Sequence, residues 1–76
     1  MRAIDINEVT KENLIRFPEV QRRTGYGKAW IYRLIKKGQF PKQVRTGIRS
    51  IAFVESEVDA WIDNKISASR SNITIQ

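Results

Sequence analysis

Lys28, Ala29, Trp30, Arg33, Lys36 and Lys37 lie within ten consecutive residues, and their side chains suit one kind of chemistry. Ammonium and guanidinium groups pair with phosphate, and a guanidinium can also form two hydrogen bonds to a guanine edge. Counted at about 100° per residue along a helix, Ala29, Arg33 and Lys36 point roughly opposite Ile31, Leu34 and Ile35. Trp30 and Lys37 then fall on one flank, Lys28 and Tyr32 on the other. Arg33 is the best-placed group for a base edge, whereas Lys28 and Lys37, at the two ends, suit phosphates. Gly27 leaves no side chain at the helix start, where backbone N–H groups are open to an anion. Trp30 has two readings: it covers the flank of a core, or it stacks on a sugar or a thymine methyl. An ordinary solvated helix face is the competing account of the cations.

The positive charge extends beyond this stretch. Between Arg16 and Val54 stand ten basic residues and one acid, Glu19, a net +9, while the whole 76-residue chain carries +6. From Glu55 to Lys65 four acids face a single lysine. Charge split this sharply costs stability through self-repulsion, and a bound polyanion is the usual reason for keeping it. Arg45 and Arg49, near a hairpin tip, suit a wing that follows the backbone or enters a neighbouring minor groove, or else are simply solvated. Arg22 and Arg23 either cross the backbone or pair with Glu19. With five or six of these charges on phosphates, binding should fall with salt at a log–log slope of roughly −5.

Other chemistries find little support. Asp59 and Asp63 are one helical turn apart, and paired carboxylates serve general acid–base work or hard-cation binding. They have no third ligand, no histidine and no glycine-rich phosphate loop near them, so a solvated helix face is the better account. The chain has no cysteine and no histidine, which removes disulfides, thiolate metal sites, the common general base and the common zinc ligand. No catalytic residue, metal or cofactor is expected, and neither is a small-molecule substrate. The first residues lack an apolar run long enough for a signal peptide, and nothing approaches a membrane span. A cytoplasmic protein is the expectation.

The elements that would hold the cationic row follow from the spacing. Residues 1–13 read as an N-terminal arm. Leu14, Ile15 and Phe17 form a short apolar run ending at Pro18, which pushes Leu14 to Phe17 to extended geometry and favours a helix start at the proline. Glu19 suits that helix's first turn, and Gly25 and Gly27 end it. A second helix covers Lys28 to Lys37 with the stripe Ile31, Leu34, Ile35, and Gly38 stops it. Lys42 to Val54 alternates with period two around Thr46-Gly47, a β-hairpin with Ile51 and Phe53 toward the helices. A third helix begins near Glu55 or Ser56, where Ser56 and Asp59 resemble a capping box, and presents Val58, Trp61 and Ile62 to the core. After Ile66 the composition is that of a flexible tail, 67–76, in which Ile73-Thr74-Ile75 is too short to decide on a strand. One domain, 14–66, is therefore expected, mostly α with a small β-hairpin, in a winged helix-turn-helix arrangement.

The run Thr24-Gly25-Tyr26-Gly27-Lys28-Ala29-Trp30-Ile31-Tyr32-Arg33-Leu34-Ile35-Lys36-Lys37-Gly38-Gln39-Phe40-Pro41 resembles the signature of the AlpA family of small prophage regulators. The resemblance continues through Arg49 to Glu57-Val58-Asp59-Ala60-Trp61-Ile62 and covers about Leu14 to Ile66. It implies a winged helix similar to the MerR and excisionase types, binding DNA to regulate integrase genes or promote prophage excision. The family usually has serine near position 27 and a small hydroxyl residue at position 30, where this chain has Gly27 and Trp30. Contacts made by relatives therefore do not transfer to position 30. Phe53 stands where many members have tryptophan.

Residues and resemblance together lead to a sequence-specific binder of double-stranded DNA from a mobile element. It would control integrase expression, act as an excisionase, or both. Integrase contact and cooperative self-association on DNA are further partners the resemblance brings in. A protein-interaction module that modulates an integrase or a regulator without operator readout is the alternative. RNA binding is weaker, because no aromatic platform on a sheet is evident.

Overall fold

The computed structural model describes the backbone of residues 12–75 and the side chains of residues 12–71. The arm expected over 1–13 lies outside the described residues except for Glu12 and Asn13. In chain order the elements are β1 (Leu14–Ile15), α1 (Phe17–Thr24), α2 (Lys28–Lys36), β2 (Val44–Arg45), β3 (Ile51–Val54) and α3 (Glu55–Ile75).

Arg16 holds an extended backbone before α1, and Pro18 occupies the first turn, where its missing N–H costs nothing. Gly25, at φ 77°, closes the helix through its N–H to the Gln21 carbonyl at 2.7 Å. That left-handed conformation is strained for any residue with a Cβ. The Thr24 hydroxyl donates to the Val20 carbonyl at 2.8 Å and accepts the Tyr26 N–H at 3.2 Å, so the turn between α1 and α2 is bonded at both ends.

The hairpin forms in the expected place, with Val44 opposite Ala52 and Arg45 opposite Ile51. A third strand joins it. Leu14 pairs with Val54 and Ile15 with Phe53, giving an antiparallel sheet in the order β1-β3-β2. A two-residue strand leaves too short an alternation to be seen in sequence, and here it was legible only as extended chain before a proline.

β3 runs directly into α3. The Glu55 N–H donates to the Asn13 carbonyl at 2.8 Å, which satisfies one of the open donors at the helix start. The capping box expected of Ser56 and Asp59 does not form: the Ser56 hydroxyl donates to Glu12 Oε1 at 2.8 Å instead. With no loop before the helix, the strand beside it supplies the cap. α3 also continues through the residues read as a tail, reaching Ile75 rather than ending near Ile66. No glycine or proline follows Glu55, and serine and asparagine only weaken a helix that is already nucleated. Ile73-Thr74-Ile75 is accordingly helical and not a strand.

Phe17, Val20, Ile31, Leu34, Phe40, Phe53 and Val58 form the core, and Ile15, Tyr26, Ile35, Ile51, Trp61 and Ile62 pack around it. Phe53, fully buried, meets Phe17 edge-on at 5.3 Å and Phe40 at 6.1 Å. Phe40 continues to Trp61 at 4.8 Å, Trp61 to Tyr26 at 5.9 Å, and Tyr26 to Trp30 at 6.4 Å. At the other end Phe17 meets Tyr32 at 5.2 Å. All seven aromatic residues thus make one unbroken series that starts and finishes on α2. Tilted and edge-on pairs of this kind add to the burial of the rings and fix their orientation. α2 is held on both flanks.

Arg23 ties α1 to α3. Its guanidinium reaches Glu19 at 2.8 Å, Glu55 at 2.8 Å and Asp59 at 2.9 Å, and Arg22 adds a second contact to Glu19 at 2.6 Å. Hydrogen bonds from Arg22 and then Arg23 hold the Glu19 carboxyl down at about 2, against an ordinary value of 4.5. Arg23, and then Asn13, likewise lower the carboxyl of Glu55. A group whose folded pKa is depressed stabilises the fold above its unfolded pKa and loses that contribution as pH falls toward the folded value. The melting temperature is therefore expected to drop between about pH 4.5 and pH 2, and Glu19→Gln to flatten that part of the curve. Circular-dichroism melts across this range, at low salt, check it; equal slopes for the two proteins would remove Glu19 from the account.

Candidate nucleic-acid interface

α2 places the cationic row as its period requires. Ile31 and Leu34 are buried, while Lys28, Ala29, Trp30, Tyr32, Arg33, Lys36 and Lys37 are exposed. Gly27 caps the helix in extended geometry, and a Cβ added there would meet nothing within 4 Å, so the space before the helix is open. Lys37 follows the last turn with its N–H on the Arg33 carbonyl at 3.1 Å, the Gly38 N–H reaches the Ile35 carbonyl at 2.9 Å, and Gly38, at φ 73°, turns the chain away.

Two of the cations are positioned by aromatic rings. The Arg33 guanidinium lies 5.5 Å from the centre of the Trp30 ring, and the Lys28 ammonium 5.3 Å from that of Phe17. A cation over a ring face is attracted by the ring's quadrupole. Trp30 makes a T-shaped contact with Tyr26 on the flank of the core, while 41% of it stays exposed beside Arg33. Among the described residues no hydrogen bond or ion pair engages the head groups of Lys28, Arg33, Lys36 or Lys37. They are available to an outside anion.

The first helix is different. Both Arg22 and Arg23 pair with Glu19, which is the second of the two readings their positions allowed. Arg22 remains 71% exposed in its side chain, but Arg23 is 22% exposed and surrounded by three carboxylates. The geometry gives Arg23 a place in the fold, between α1 and α3. Its partners Glu55 and Asp59 lie more than thirty residues away, so sequence spacing pointed only to Glu19. Asp63 is exposed, and Asp59 answers Arg23.

In the wing, the Thr46 N–H donates to the Ser50 carbonyl at 2.9 Å and closes the tip. Arg45 turns back, its Nη1 donating to the Ile48 carbonyl at 3.0 Å, while Arg49 is exposed. Between them Ile48 is 89% exposed, more than any other large apolar side chain described. Sequence reasoning passed it over, because a single apolar residue beside a turn breaks no periodicity.

Two helices joined by a glycine turn, a hairpin wing and a packing helix define a winged helix-turn-helix. The chain belongs to the AlpA family of prophage regulators: the model described as "Prophage CP4-57 regulatory protein (AlpA)" matches residues 13–66. It is 40% identical over 63 residues to "Uncharacterized protein ORF88" of Enterobacteria phage P4, covering 83% of this chain and 72% of that one. It is 27% identical over 66 residues to "DNA-binding transcriptional activator AlpA" of Escherichia coli (strain K12), covering 79% and 94%. No solved structure matches it. Among the described residues no helix is long and apolar enough to cross a membrane.

Proposed function

We propose that this chain binds double-stranded DNA sequence-specifically and regulates genes of a mobile element. In this reading α2 enters the major groove with Arg33 on a base edge. Lys28, Lys36, Lys37, Arg22 and Arg49 meet phosphates around it. The single observation that carries it is the row of exposed cations on α2 that make no hydrogen bond or ion pair among the described residues, anchored from behind by Ile31 and Leu34. The printed name of the Escherichia coli relative, a DNA-binding transcriptional activator, supports the same reading. Its targets are the promoter of an integrase gene, the attachment site of the element, or both.

Gel-shift titration of a duplex carrying the integrase promoter, across a salt series, tests this. Five phosphate contacts predict that log affinity falls against log salt with a slope of about −4 to −5. No shift at low salt, together with affinity for integrase protein that survives high salt, would replace the reading with a protein-interaction module. Footprinting then separates the roles: several adjacent protected repeats at the attachment site mean excision, and protection at the promoter alone means transcription.

A further inference from the structure

We infer that Ile48 is an apolar wedge: the wing sets it into the minor groove, where it partly unstacks one base step and bends the duplex. The inference rests on the DNA reading above and adds to it a residue and a mechanical effect.

Ile48 is the tip of the wing and almost entirely in water, so its apolar surface gains nothing from the fold and is still available to be buried against a ligand. Nothing in the fold needs it there, since it lies outside the core and outside the residues packed on it. Its backbone is nonetheless fixed from two sides, by Arg45 Nη1 on its own carbonyl and by the Thr46–Ser50 bond that closes the loop. The tip therefore fixes where the side chain leaves the backbone, and β-branching limits the rotamers it samples from there. A preset apolar group loses little freedom on insertion.

The neighbours say what it inserts into. Arg45, bonded to the Ile48 carbonyl, and the exposed Arg49 next to it bracket Ile48 along the chain, in the segment that holds ten of the chain's fourteen cations. An apolar protein pocket would have to desolvate both charges, whereas a minor groove supplies phosphate rims for the arginines and a base step for the isoleucine. Arginine is favoured in narrow minor grooves, and isoleucine is among the side chains that wedge base steps apart. An anionic membrane surface offers the same two chemistries, but one side chain is a small anchor for it.

The test compares wild type, Ile48→Ala and Ile48→Leu on end-labelled duplexes, reading bend by energy transfer between the ends and affinity by titration. Ile48 lies outside the core, so both variants should fold, which circular dichroism verifies. Expected is a bent complex for wild type and Ile48→Leu. Ile48→Ala should bind with about five- to tenfold lower affinity and lose most of the bend. A duplex made flexible by a two-base mismatch at the contacted step should restore its affinity. An Ile48→Ala complex bent like wild type, or a wild-type complex that is straight, overturns the wedge while leaving DNA binding intact. Loss of binding to phosphatidylglycerol vesicles in Ile48→Ala, with bend and DNA affinity unchanged, overturns it in favour of a membrane contact. Failure of the wild type to bind any duplex would overturn the underlying reading instead.

Discussion

Phe53→Ala is expected to leave much of the chain unfolded in water at room temperature. Phe53 is fully buried on the central strand and meets Phe17 and Phe40 edge-on. Removing a buried phenyl ring costs about 3–5 kcal/mol, from lost burial and the cavity left behind. A chain of this length seldom holds more than about 3–5 kcal/mol in a single core, so loss and reserve are of similar size. The ring is also the link through which Phe17 and Phe40 act together, and with it the two flanks of α2 lose their common support. Urea titration followed by circular dichroism reads the loss. A variant whose midpoint moves by less than a fifth would show that the neighbouring rings collapse into the gap and that the aromatic series is less rigid than its geometry implies.

Arg33→Ala is expected to weaken binding to a cognate site by about 1–3 kcal/mol, or roughly 5- to 150-fold in Kd, and to relax the preference at one base pair. The Trp30 ring under its guanidinium holds the fork before DNA arrives, which reduces the side-chain entropy lost on contact. Trp30→Ala should consequently reproduce part of the Arg33→Ala loss at the same base pair. Lys36→Ala provides the contrast, because a phosphate contact weakens all sequences alike and lowers the salt slope by about one. Gel shifts on a panel of operators, each altered at one base pair, distinguish these patterns. Unchanged affinity and specificity for Arg33→Ala would remove that residue from base readout.

Much of this was legible in the chain because it depends on short spacings. Ile31, Leu34 and Ile35 at i, i+3, i+4 set the buried side of α2, and with it the exposed side that bears Arg33 and Lys36. Glycines at 25 and 38 end the two helices for reasons of backbone geometry, and both take positive φ. The hairpin could be read from alternation around Thr46-Gly47. Relations between distant residues stayed hidden. Arg23 shares its charge with Glu55 and Asp59 across more than thirty residues, and β1 becomes a strand only because Val54 and Phe53 lie beside it. α3 runs past Ile66 for a different reason: serine and asparagine weaken a helix without breaking it, and neither glycine nor proline follows Glu55.

The pairing of Leu14 and Ile15 with β3 also governs how the domain should be handled. A shortened version beginning after Arg16 would keep every residue of α2 and the wing, yet bare one side of the middle strand. It would also strip the first turn of α3 of the Asn13 carbonyl that receives its Glu55 amide. Unpaired N–H and C=O groups along such a margin recruit other chains, so trimming here invites clumping in the test tube while every cation of α2 and the wing stays in place.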